Sequence, residues 1–345
     1  MDHYCVYFDH NYAGIGLAML RSLRASGATG PVWVLCLSEH AEENVAALDL
    51  PAVEIVPLAT LEAHFPHLAT AKGDRSMMEY YFTLTPFICR YVFDTAPDAQ
   101  RVAYLDSDLF FFGPVATMWD AMGEAPVAIV PHNFNPRAQH LRKYGTYNVG
   151  WVSFARSEQG LRCLDYWAAS CRQWCRDVPD GDRFADQGYL DRFVHQAPDT
   201  AIVTAKGCGL GPWNVARYTI RWSGDHVIVD EAPLIFFHFT GFKKGFGGRW
   251  YHSHRIYRAT TGRVVRDHIY RPYLRALLAA QATVASVKSP SPPSNLIRNR
   301  GGGIPLKKRV YKIVENGFRI ADLLTGQSIA EPRAWSDQAI SRADS

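Results

Sequence analysis

The sequence predicts an α/β protein built on a doubly wound, mostly parallel but mixed sheet flanked by helices. Short continuous apolar runs recur along the chain, the pattern of strands buried on both faces. Longer segments with apolar residues at helical spacing separate them. Strand and helix alternate, as crossover helices covering both faces of a parallel sheet require. With 345 residues and 48% hydrophobic content, the chain can fill such a core.

Residues 4–8 (YCVYF) read as the first strand and 12–26 as a helix carrying Ile15, Leu17, Leu20 and Leu23, with Gly27 as its stop. A strand at 31–37 (PVWVLCL), a polar helix from Glu39, a short strand at 53–56 and a helical segment from Leu58 follow. Across 74–93, Met77, Tyr80, Tyr81, Leu84, Phe87, Ile88 and Tyr91 recur at helical spacing, and Pro86 is expected to kink or interrupt the segment. Next comes RVAYLDSDLFFFGPV, 101–115, in which Val102 to Leu105 form a buried strand and Asp106 and Asp108 sit at its end. Further strands are read in PVAIVPH (126–132), YNVGWVSF (147–154) and PLIFFHF (233–239). Leu161, Leu164, Trp167, Cys171, Trp174 and Cys175 define a long amphipathic helix between them.

The globular domain is expected over 1–287. Residues 288–303 (KSPSPPSNLIRNRGGG) have the Pro, Ser and Gly content of a flexible linker. In 304–345 an amphipathic helix places Leu306, Val310, Ile313, Gly317, Ile320 and Leu324 on one face, with Lys307, Lys308, Lys312 and Arg319 mostly off it. Such a helix either lies peripherally on an anionic membrane surface or docks back on the domain.

Lys and Arg number 37 against 33 Asp and Glu, a net charge of +4, which gives no ground for a nucleic-acid partner. The start of the sequence shows no basic and apolar leader, and no stretch is long enough to span a membrane. Seven cysteines without a CxxC pair suggest neither a zinc cage nor a disulfide framework, and Cys171 and Cys175 are read as core residues. The expected setting is the cytoplasm.

Two carboxylates one residue apart at a strand end make a hard oxygen site suited to Mg²⁺ or Mn²⁺, and strand ends are where open α/β sheets bind ligands. His238 ends another buried strand and is followed by Gly241, Lys243 and Lys244, a set able to meet a diphosphate. Asp186 and Gln187 start a short helix, either as a cap or as side chains in a cleft. Trp213 and Asn214, in GCGLGPWNVARY, form either a sugar-stacking platform or a packed corner.

In order along the chain, FDHNY, YLDSDLFFFGPV, YNVGWVSF, FADQGYL and FFHFTGFKK resemble the motifs of nucleotide-sugar glycosyltransferases of the GT-A fold, most of all family 8, over roughly residues 1–250. The resemblance implies that Asp9, Asn11 and Tyr12 hold the uridine of a UDP-sugar donor. It implies that Asp106, Asp108 and His238 bind Mn²⁺ (or Mg²⁺), and that Lys244, by its spacing from His238, binds phosphate. Asn148 is implied to face the donor sugar, and Asp186 and Gln187 to flank the anomeric carbon. Where family 8 carries an Arg on the helix before the two acids this chain has Thr83, with Arg75 and Lys72 nearby as substitutes. The Lys-Pro-Trp that often ends the histidine motif is absent.

The implied reaction is metal-dependent transfer of a sugar, with retention, from UDP to a glycan or lipid-linked glycan in surface polysaccharide assembly. Segments 132–146 and 208–218, with Arg137, Arg142, Lys143, Trp213 and Arg217, are expected to select the acceptor. A sugar-nucleotide hydrolase or nucleotidyltransferase using the same acids, and a noncatalytic nucleotide-sugar or glycan binder, are the alternatives.

Overall fold

The computed structural model describes residues 1–287 and 306–331. A seven-stranded mixed sheet forms its centre, in the order β3-β2-β1-β4-β7-β6-β8. These strands are β1 (Asp2–Phe8), β2 (Val32–Cys36), β3 (Val53–Pro57), β4 (Arg101–Leu105), β6 (Val127–Pro131), β7 (Tyr147–Ala155) and β8 (Ala201–Ile202). From β3 to β4 all pairings are parallel, β7 runs antiparallel to both β4 and β6, and β8 is parallel to β6. The chain leaves β1 toward β2 on one side and returns to β4 on the other, so the topological switch point lies between β1 and β4. In open α/β sheets that is where the ligand crevice opens.

The continuous apolar runs behave as expected. Cys5, Val102 and Tyr104 point into one core, while Tyr4, Val6, Ala103 and Leu105 point into the other. The first core is covered by α3 (Leu58–His64), α4 (Leu68–Asp74), α5 (Met77–Thr95) and α7 (Glu158–Gln173). The second lies under α1 (Ala13–Ala25), α2 (Glu39–Ala47) and α6 (Ala116–Met122). A third core gathers Phe237, Phe239, Tyr270, Tyr273, Trp250 and Ile329. Here α10 (Arg271–Ser286) packs on α1 so closely that a Cβ on Gly14 would lie 2.7 Å from Gln281 Cγ. All seven cysteines are buried and free, as core residues.

The helix read over 74–93 is α5, which Ser76 starts with a capping box: its hydroxyl accepts from the Glu79 N–H while the Glu79 carboxylate accepts from the Ser76 N–H. Two expectations need correction. Pro86 does not interrupt α5, which runs from Met77 to Thr95 as one element. The strand read at 233–239 is split: Pro233 ends β11 (Ala232–Pro233) and Phe236–His238 form β12, both outside the central sheet.

The linker expected at 288–303 lies outside the described residues. Beyond it lies α11 (Leu306–Leu324), from which Glu315, Phe318, Arg319 and Asp322 line a cavity against the domain. Asp322 is buried against the Arg255 guanidinium at 2.5 Å, while Val314, Ile320 and Leu324 stay exposed. After α11, β15 (Ile329–Ala330) adds to a small sheet, pairing with β14 (Arg249–Tyr251), which pairs with β13 (Lys243–Lys244). Ile329 is 2% exposed in the third core. No helix among the described residues is long and apolar enough to cross a membrane.

Ile329→Asp places a carboxylate among apolar rings without a partner. It is expected to release β15 while the central sheet holds. Hydrogen exchange should then speed up by roughly tenfold or more at 329–331 and 249–251 and stay unchanged in β1 and β4.

Candidate active site

The site is assembled by backbone pairing. At the end of β4 the Asp106 N–H donates to the Gly150 carbonyl at 3.1 Å, and the Leu109 N–H donates back to the Asp106 carbonyl at 3.2 Å, closing a turn. That turn leads into β5 (Leu109–Phe111), which pairs antiparallel with β12 so that His238 stands opposite Leu109. The Phe239 N–H donates to the Asp108 carbonyl at 2.9 Å. In this register His238 Nε2 lies 2.9 Å from Asp108 Oδ1 and 3.6 Å from Asp106 Oδ2.

One ligand atom from each of Asp106, Asp108 and His238 falls within 4.8 Å of the others. Burial pushes the Asp106 carboxyl up to about 6, against the attraction of His238. Burial also works to lower His238, but the carboxylates of Asp108 and Asp106 outweigh it and its pKa is raised. Two hard oxygens from half-buried aspartates and one nitrogen from a buried imidazole are a donor set that fits Mn²⁺ or Mg²⁺.

A second buried acid lies beneath the first. Asp186 is 3% exposed, and burial pushes its carboxyl up to about 7. It does not cap the helix that follows it. Instead Asp186 Oδ2 is 2.6 Å from Thr85 Oγ1, which is also 3.1 Å from the Phe82 carbonyl oxygen. That carbonyl is the one Pro86 leaves without an N–H partner. The Thr85 hydroxyl donates to Asp186, a bond that favours the charged carboxylate and so works against the burial that raises it. Tyr7 links this pair to the metal acids, its hydroxyl 3.3 Å from Thr85 Oγ1 and its ring against Tyr104, whose hydroxyl donates to Asp106 at 2.8 Å. Gln187 accepts from the Val149 N–H at 3.3 Å and donates to the Tyr144 carbonyl at 2.8 Å.

At the carboxyl end of β1, the Asp9 carboxylate accepts from the Asn11 N–H, the Asn11 amide and the Tyr12 N–H at 2.9, 3.0 and 3.2 Å. This leaves Tyr12 48% exposed at the crevice between β1 and β4. Asn148 is buried, with its amide on His132 and His238. Lys244 pairs with Glu331 at 2.8 Å and Lys243 with Glu315 at 2.5 Å, so both lysines are held by carboxylates of the C-terminal segment.

Arg75 reaches the Thr83 hydroxyl, and its Nε is buried without a partner, whereas Lys72 is turned away onto Glu62 at 2.7 Å. Trp213 and Asn214 are a packed corner: both are buried, and the Asn214 amide holds Gly211, His132 and Gly209. Sequence reasoning missed Tyr7 and Thr85, which lie in no motif, and the contacts of Tyr104 and His132, which lie in segments it had named only for other reasons. The one signal for His132 was its place at a strand end, the same as that of His238.

No family model matches the chain. Two uncharacterised proteins of Bacillus subtilis (strain 168) are similar in sequence. YfnF is 28% identical over 248 residues, covering 70% of this chain and 81% of its own, and YfnD is 29% identical over 265 residues, covering 75% and 83%. Among solved structures, the galactosyltransferase LgtC in complex with donor and acceptor sugar analogues superposes with a TM-score of 0.51 at 16% identity, over 85% of this chain and 98% of LgtC. The chain therefore has the GT-A fold of the glycosyltransferases, with a mixed seven-stranded sheet and an Asp-Asp-His cluster at its switch point.

The Asp186 carboxyl is raised from 3.8 to about 7, so between those pH values the native state binds a proton that the unfolded state has lost. Stability therefore falls as pH rises through this window. Asp186→Asn keeps an acceptor for Thr85 without the charge. It is expected to gain on the wild type by up to about 4 kcal/mol between pH 4 and pH 8, read from denaturant midpoints across that range.

Proposed function

We propose that the protein is a glycosyltransferase that takes a sugar from a UDP-sugar with the help of Mn²⁺ or Mg²⁺ and passes it to a glycan or lipid-linked glycan. The observation that carries this reading is the cluster of Asp106, Asp108 and His238 at the switch point of a GT-A sheet. A divalent cation held there supplies positive charge to the diphosphate as it leaves. The chain's own residues supply the rest.

Asp9 holds Asn11 and Tyr12 in place at the end of β1, which supports a nucleoside site with the exposed Tyr12 ring against the base. Lys244 offers a phosphate contact because its pair with Glu331 is solvent-exposed, and such pairs are worth roughly 0 to 1 kcal/mol. The ammonium can exchange that carboxylate for a phosphate oxygen, which makes a bond of the same charge-assisted kind. Stabilising charge on the departing UDP removes the need for a protein acid at that step.

We assign Asp186 and Gln187 to the cation-like sugar as transfer proceeds with retention, supported by the interaction of Asp186 with Asp106. Asp186 is in part protonated near neutral pH and tied to Thr85, so its place is support and orientation rather than attack. The exposed Val314, Ile320 and Leu324 of α11 are what supports a membrane-surface acceptor in polysaccharide assembly.

Calorimetric titration of the full chain with UDP, GDP and CDP tests the donor half. UDP is expected to bind in the presence of Mn²⁺, with GDP and CDP much weaker, and Asp106→Ala/Asp108→Ala is expected to abolish the metal dependence. Lys244→Ala should weaken UDP by about 10-fold or more, the loss of one charged hydrogen bond. Metal-independent binding, or none, overturns the reading.

A further inference from the structure

The resemblance of YNVGWVSF to a family motif implies that Asn148 faces a donor sugar. The geometry points to another role: we propose that Asn148 and Gly150 are positioning residues for His238, fixing its ring and its tautomer so that Nε2 faces the two aspartates. This rests on the metal reading above.

The argument starts from one backbone N–H. Gly150 N–H can only donate, and it lies 2.9 Å from Asn148 Oδ1, which fixes which end of the Asn148 amide is oxygen. The Nδ2 end therefore points at His132 Nε2, 3.3 Å away, and since Nδ2 only donates, that imidazole nitrogen is an acceptor. His132 is accordingly neutral, in keeping with a burial that pushes its pKa down to about 3. On the other side, Oδ1 only accepts, and it lies 3.2 Å from His238 Nδ1. His238 must therefore carry a proton on Nδ1. The nitrogen left to serve a metal is Nε2, the one aimed at Asp108 and Asp106. Outer partners that hold a histidine ligand's second N–H set its orientation and basicity in this way.

The glycine has an equally direct reason. A Cβ on Gly150 would stand 2.6 Å from Asn148 Oδ1 and 2.7 Å from His238 Nδ1, so the imidazole occupies the space a side chain would fill. The ring is walled by Trp213, edge-on at 5.2 Å. A register irregularity between Ile129 and Val130 falls opposite this stretch of β7, and such bulges re-aim side chains. Oδ1 is held by two N–H groups and one Nδ2–H by His132, so the amide is fixed in this frame whatever its second Nδ2–H meets.

The test uses the full-length protein. Mn²⁺ affinity is read from the electron-spin signal of the free ion, and the His238 tautomer from nitrogen-15 correlation spectra with Mg²⁺. Wild type is expected to show an Nδ1–H on His238. Asn148→Leu and Gly150→Ala should bind Mn²⁺ about 10- to 100-fold more weakly. Asn148→Asp still accepts both N–H groups, and is expected to keep the Nδ1–H signal and an affinity within about threefold of wild type. Should Asn148→Leu fail to fold, the contrast between Gly150→Ala and Asn148→Asp carries the test. A wild type that binds Mn²⁺ with an Nε2–H His238, or variants that bind as tightly as wild type, overturn the positioning role alone. A wild type that binds no metal at 106, 108 and 238 overturns the metal reading and the role with it.

Discussion

Two carboxylates held one residue apart at a strand end repel each other, and a positive group beside them relieves the repulsion. The structure answers this with His238, and much of its second half is arranged so that the imidazole arrives. The short β5 and β12 pair off the edge of the main architecture, in a register that sets His238 against Leu109. Without that pairing the strand-end acids would be a solvated turn. The same repulsion that makes the cluster costly when empty of positive charge makes it a strong cation site, because whatever cation enters relieves it.

The fold was legible because each strand carried its own signal. Val102, Ala103, Tyr104 and Leu105 alternate between two cores, and both cores demand apolar residues, so the run could only be a strand covered on both sides. The carboxyl-end placement of Asp106 followed from that alone. The partners of the site were less legible, since they are tertiary. Thr85 and Asp186 lie 101 positions apart, and nothing in a local window marks a helical threonine as the neighbour of a distant acid. Pro86 misled in a different way: read locally it is a helix breaker, but the hydroxyl one position earlier reaches the carbonyl it leaves orphaned.

The C-terminal segment is seated by apolar and polar contacts together. Ile329 enters the third core, while Asp322 meets Arg255, Ser328 meets Arg249, Glu331 meets Trp250 and Gln327 meets Thr261. An apolar stripe accepts any apolar neighbour, whereas a buried charge needs one specific partner, so the charge decides how the helix is seated. The segment ends by placing Glu331 on Lys244, and α11 places Glu315 on Lys243. The two lysines that follow the histidine motif are thus held close to the extended shape of β13 before any phosphate arrives.

The helix and the metal acids are coupled through one hydroxyl. Pro86 removes an N–H from the middle of α5, which leaves the Phe82 carbonyl without its usual partner. Thr85 stands 3.1 Å from that carbonyl and donates to Asp186 at 2.6 Å. That bond favours the charged carboxylate, so the raised pKa of Asp186 is the work of burial and of Asp106 against it. Asp106 feels the charge of His238 and Asp186 feels that of Asp106, so a cation that draws negative charge toward the upper acids also eases ionisation of the lower one. Thr85, one residue before the proline, is therefore where the helix meets the buried acid, and the state of that acid is set by its burial and by the charge of Asp106.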